Sequence, residues 1–130
     1  MALTTIYWTS TALLSLLYFS SAVMYLTKAT YVKRVLGDLG YSAAHLVPVM
    51  VGVKILGPLA ILSRVSVPLS DLAYAGIFYH LLLSGLAHLG VRKPAGAIPA
   101  AIGLILLAAS VLSQNAARGV PSAWLQSIGI

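Results

Sequence analysis

The sequence predicts an all-α integral membrane protein, a four-transmembrane-helix bundle in up-down-up-down order, on three observations. Of its 130 residues 60% are hydrophobic and only 8% are charged, far from the roughly 45–50% apolar and about 25% charged residues of a soluble domain. The apolar residues gather into four runs, each near the roughly 17–25 residues that a helix needs to cross a bilayer. These runs are continuous, whereas barrel strands are short and alternate. Each is therefore expected to satisfy its own backbone as a helix. One membrane domain accounts for residues 1–130.

The first span is expected over residues 5–26. It could be taken for a secretory leader, but no basic residue precedes its apolar run and Lys28, Lys33 and Arg34 follow it, which predicts a retained helix. At roughly 100° per residue, Tyr7, Thr11, Tyr18, Ser21 and Tyr25 fall within a sector of roughly 80°, with Thr4, Ser10 and Lys28 at its edges. Such a stripe turns inward, where hydroxyls find partners, and leaves Leu13, Leu16, Phe19 and Val23 to lipid or neighbouring helices. Tyr7 and Tyr25 have a second explanation as interfacial anchors, and any of the hydroxyls has one as a bond to its own backbone. Tyr18 lies deep in the span and needs a partner.

Gly37 and Gly40 break the first connection, and the second span follows over residues 44–62. Pro48, Pro58 and Pro99 read as bends or helix starts, with Gly57 beside Pro58 the best kink candidate. Pro68 and Ser70 precede a third span over residues 71–90, and Pro94 and Gly96 precede a fourth over residues 97–114. Gly76, Ser84, Gly85 and the small residues between Ala100 and Ala109 suit close helix packing.

The net charge of +6 comes from basic residues that punctuate the spans and do not form one basic face, so no nucleic-acid partner is expected. The first and third connections carry Lys28, Lys33, Arg34, Arg92 and Lys93, against Arg64 and Arg118 on the other side. By the positive-inside rule both termini face outward, in a bacterial-type cytoplasmic membrane. With no cysteine in the chain, disulfides, thiol exchange and thiolate metal sites are excluded.

Lys54 is the most informative residue. It sits near the middle of its span, while the only two acidic residues, Asp38 and Asp71, belong near the bilayer surfaces. Four outcomes are open to it: it loses its proton, holds an external anion, pairs across subunits, or snorkels. On the third span Gly76, His80, Ser84 and His88 recur every four residues, which keeps them on one face. His80 shares the midplane with Lys54 and Tyr18, so these three are expected to meet. His88, His45, Tyr25 and Lys28 belong nearer the inner ends, and a polar cavity from the midplane to that surface would join the two levels. The plain alternatives are that His80 is a hydrogen-bonded packing group and that His88 complements the negative end of its helix.

A desolvated amine, an imidazole and a phenol suit proton transfer or Schiff-base chemistry. Glycoside hydrolysis wants paired carboxylates and phosphoryl transfer wants phosphate loops with metal-binding acids; neither is present. No metal site is expected, because His80 and His88 stand about two helical turns apart. The expected site has Lys54 and His80 as the acid-base groups and Tyr18, Ser21, Tyr25, Ser84 and His88 against a bound lipophilic small molecule.

Four segments, Ile6-Tyr7-Trp8, Gly52-Val53-Lys54-Ile55-Leu56-Gly57, Ala73-Tyr74-Ala75-Gly76 and Ser84-Gly85-Leu86-Ala87-His88, stand in this order along the chain, within the first three spans. Together they resemble the DoxX-like family of small membrane proteins. The resemblance implies a four-helix membrane bundle, and it aligns Lys54 with the lysine of the family's glycine-flanked segment and Ser84 with His88 as its serine-histidine pair. Some relatives are associated with quinone-linked oxidation of sulfur compounds or with membrane redox complexes, so a quinone is the cofactor that the resemblance suggests; others look like assembly factors. His80 departs from the pattern, where an acidic or apolar residue is expected. Function thus stays open between a ligand-binding or proton-transferring protein and a noncatalytic subunit or assembly factor of a larger membrane complex. A transporter is a third possibility, and four helices would then require a homo-oligomer.

Overall fold

The computed structural model describes residues 1–41 and 45–130. Four helices long and apolar enough to cross a membrane form the body: α1 (Ala2–Thr27), α3 (Leu46–Ser63), α4 (Val67–Gly90) and α5 (Ile98–Ser113), the last extended by 3-10 turns at Pro94–Ala97 and Gln114–Ala117. Two shorter helices complete the set, α2 (Ala29–Asp38) and α6 (Ala123–Ser127). Among the described residues there is no strand.

The four spans appear where the hydropathy put them, with boundaries moved by their caps. The expected start of the second span, Ala44, lies outside the described residues, and α3 runs from Leu46. The third span begins earlier than residue 71. Ser66 caps α4 by accepting a hydrogen bond from the Leu69 amide at 3.3 Å, and Pro68 lies in its first turn, where a missing N–H costs nothing. Pro58 stays inside α3, which continues through it. The carbonyl of Lys54, one turn earlier, thereby loses its helical donor.

In the ring of packed helices α1 touches α3 and α5, and α4 touches the same two, so α1 and α4 face one another across the centre. Leu14, Ile61, Ile77, Leu81 and Leu107 fill the middle. Gly103 permits close approach there, since a Cβ at that position would stand 2.8 Å from Leu81 Cδ2 and 3.3 Å from Leu17 Cδ2. Gly85 faces the Ala100 methyl in ordinary contact, but Gly76 faces open space and takes no part in packing. Leucines, isoleucines and valines exposed outward, such as Leu16, Val23, Leu56 and Ile105, form the surface that lipid covers.

The segment after the first span is not a plain connection. Residues 29–38 form the amphipathic helix α2, whose Val32, Val35 and Leu36, with Leu39 just beyond, fall on one face while Lys33 and Arg34 are exposed. The i, i+3, i+4, i+7 spacing was present in the sequence, but the surrounding charges masked it. Lys93 pairs with Asp38 at 3.5 Å, an exposed contact worth little energetically. It does show that the first and third connections meet at one end of the bundle. At the other end Arg64 donates to the Ala117 carbonyl and lies over the Trp8 ring, and Thr4 reaches the Ala116 carbonyl.

Candidate functional site

The polar stripe of α1 does turn inward. Tyr7, Thr11 and Tyr18 are almost fully buried, which removes the anchor explanation for Tyr7, while Ser21 and Tyr25 are half-buried. Ser10 bonds back to its own helix, to the Ile6 carbonyl at 2.6 Å. Thr11 and Tyr18 find partners on other helices.

Tyr18 of α1 crosses the bundle axis to His80 of α4, with Oη 2.8 Å from Nδ1. Lys54 of α3 approaches the same tyrosine from the side. Its Nζ lies 5.2 Å from the Tyr18 ring centroid and 4.8 Å from that of Tyr25. Lys54 is only 5% exposed, so its amine is inside the bundle and does not reach out among headgroups. Among the described residues Nζ has no carboxylate and no hydrogen-bond acceptor; two aromatic faces are what it touches. The acids are occupied elsewhere, Asp38 by Lys93 and Asp71 by Gln114 and Ser122.

A cavity of about 480 Å³ opens beside this group. Tyr18, Ser21, Tyr25, Lys54, His80, Ser84 and His88 all line it. Its deep end is at the Tyr18–His80 pair, and its lining extends to Tyr31 and Tyr41, both about half exposed, so it reaches the surface at the end that carries the basic connections. The cavity is less polar than expected. The apolar face of α2 closes one side, and Leu17, Met24, Met50, Leu81 and Leu83 contribute to the rest. Charge and hydroxyls are confined to a few positions on an otherwise greasy wall, the usual make-up of a small-molecule site.

At the shallower level His88 Nδ1 donates to the Ser84 carbonyl at 2.8 Å. A carbonyl only accepts, so the proton is on Nδ1 when the ring is neutral, and Nε2 is left as an acceptor. Gly96 lies directly against this ring: a Cβ there would come within 2.1 Å of His88 Cδ2. His45 is exposed and is not among the cavity residues.

A second polar zone occupies the end of the bundle near the termini, and its wiring was not legible in the sequence. Ser110 Oγ is 2.6 Å from both Thr11 Oγ1 and Tyr74 Oη. Beyond it Asp71 accepts from Gln114 Nε2 at 3.3 Å and Ser122 Oγ at 2.7 Å, and Arg118 Nε donates to Gln114 Oε1 at 3.0 Å. Ser110, Gln114 and Ser122 are fully buried, and Leu125 of α6 plugs the same end. The apolar layer around Leu14, Ile77 and Leu107 separates this zone from the cavity. No group of three or more potential metal ligands occurs among the described residues.

A model of the DoxX-like family matches residues 9–113, a stretch that contains all four transmembrane helices apart from the first turns of α1. The chain belongs to the DoxX-like family. No curated protein and no solved structure was found to match it. Within this DoxX-like protein the lysine of the glycine-flanked segment is the buried Lys54, and the Ser84–His88 pair lies along the cavity wall.

Proposed function

We propose that this DoxX-like protein binds a lipophilic small molecule in the cavity between α1, α2, α3 and α4, with the polar end of the ligand at Lys54, Tyr18 and His80. The observation that carries this is a single one: an unpaired, buried amine on the wall of a mostly apolar chamber of about 480 Å³. An amine without an acceptor at this depth costs several kcal/mol in a bare bilayer, and a ligand that reaches it offsets that cost. The chamber lies in the size range of roughly 300–1,000 Å³ common to small-molecule sites.

The geometry also supports movement of a proton. The Tyr18 hydroxyl and the His80 imidazole share a hydrogen bond at 2.8 Å and are within reach of a ligand held by Lys54. They supply the acid-base step, should the ligand be transformed. Ser21, Tyr25 and Ser84 orient it and His88 stands at the entrance. The same reading puts both termini on the outer side of the membrane, because the more basic connections meet at the opposite end.

Gentle purification followed by native mass spectrometry tests the proposal. The expected result is a copurifying small molecule that is lost or much reduced in Ser84→Trp, where an indole intrudes on the chamber wall, with helicity retained. A copurifying protein subunit with no small molecule, unaffected by Ser84→Trp, would overturn it in favour of a noncatalytic subunit.

A further inference from the structure

We infer that the ligand of this chamber is a lipophilic carboxylate, its head ion-paired with Lys54 Nζ and its chain lying along the apolar face of α2. This names the chemical class for the cavity reading and rests on it.

Charge decides the head group. The chain has two acidic residues. Asp38 is exposed at the basic end beside Lys93, and Asp71 is bound to Gln114 and Ser122 beyond the apolar layer. Neither reaches Lys54, whose ammonium meets two tyrosine faces at 5.2 and 4.8 Å and no acceptor among the described residues. Ring quadrupoles steady a cation but leave its three N–H groups unbonded. What the site lacks is one unit of negative charge with oxygen lone pairs.

Hydrogen-bond geometry points the same way. When the Tyr18 hydroxyl donates to His80 Nδ1, the imidazole proton sits on Nε2, and His80 becomes a second donor on the chamber wall. Lys54 and His80 both meet Tyr18 and both line the chamber, so the two donors stand on neighbouring parts of its wall. A planar head with two oxygens and a single charge satisfies both. A phosphate dianion brings more charge than one amine neutralises, an ammonium lipid repels it, and a neutral quinone leaves it uncompensated. The rest of the chamber, Met24, Met50 and Leu83 under the Val32–Leu36 face of α2, offers a hydrocarbon chain no polar competitor.

The test uses the full chain reconstituted in phosphatidylcholine vesicles, with diazirine-bearing dodecanoic acid and the matching dodecanol as probes and cross-links mapped by mass spectrometry. The acid is expected to label chamber residues at about 30-fold lower concentration than the alcohol, the discrimination expected when a desolvated charge pair is made or lost. Lys54→Met should abolish the preference of the acid over the alcohol; Lys54→Arg should keep it. Equal labelling by acid and alcohol, or displacement of the acid by menadione at equal concentration, overturns the carboxylate assignment and leaves the cavity reading standing. If neither probe labels the chamber in the wild-type protein, both fall. The comparison of the two probes on the wild-type chain needs no variant, so a misfolded substitution does not blunt it.

Discussion

Replacing Lys54 with methionine should stabilise the ligand-free protein. Methionine keeps the unbranched stem and removes the charge, and the site is 5% exposed with no acceptor for the ammonium among the described residues. A lysine at the centre of a membrane span costs roughly 2.5–3.5 kcal/mol on insertion scales. Against this stand two cation–π contacts, at 5.2 and 4.8 Å, each worth about 0.5–2 kcal/mol. The remainder is a stabilisation on the order of 1 kcal/mol for Lys54→Met, seen as a rise of a few degrees in thermal midpoint. Thermal unfolding of delipidated protein in a neutral detergent measures it, followed by circular dichroism. The natural chain would then keep a residue that weakens its own bundle, as sites built for binding often do. A loss of more than about 2 kcal/mol on substitution, beyond what two contacts at the top of that range offset, would mean that the ammonium has a favourable partner that two aromatic faces do not supply, and the reasoning would fail.

Ser110→Ala leaves the buried Tyr74 and Thr11 hydroxyls without their shared partner and should cost about 1–3 kcal/mol; a double-mutant cycle with Tyr74→Phe should show clear coupling, and additive effects would refute the hub. Gly96→Ala drives a methyl into the His88 ring, so the ring must swing out and give up its bond to the Ser84 carbonyl; the expected loss is about 1–3 kcal/mol, recovered when His88→Ala is added, and a neutral single substitution would contradict the contact. Because the chain has no cysteine, Gly37→Cys and Gly119→Cys, both at exposed positions where a Cβ meets nothing, report topology cleanly. An impermeant maleimide added outside cells should label only the Gly119→Cys protein; the reverse pattern would invert the proposed orientation.

The cavity residues show how far pattern reaches and where it stops. Depth alone brings Tyr18, Lys54 and His80 together, since each lies near the middle of its span and the spans alternate in direction. Depth along a helix is fixed by residue number. Rotation about the axis is less constrained: the ladder on α4 placed Gly76 on the same face as His80, yet the glycine looks into open space while the imidazole turns to Tyr18. α2 was hidden because a ten-residue segment with Lys33, Arg34 and Asp38 reads as a polar link, although its apolar spacing is helical. It becomes a stable helix only because the chamber offers its apolar face a place to lie.

Composition and hydropathy were enough to give four helices long and apolar enough to cross a membrane, to leave Lys54 without a carboxylate at its own depth, and to put the basic connections at one end. These follow from composition and from the length of each apolar run against the thickness of a bilayer. Helix packing was needed to reveal that α2 closes the chamber, that Tyr18 bonds to His80 across the axis, and that Ser110 gathers Thr11 and Tyr74 at the opposite end. Such contacts join residues far apart in the chain, and side-chain packing between helices selects them after hydropathy has placed each span in the bilayer.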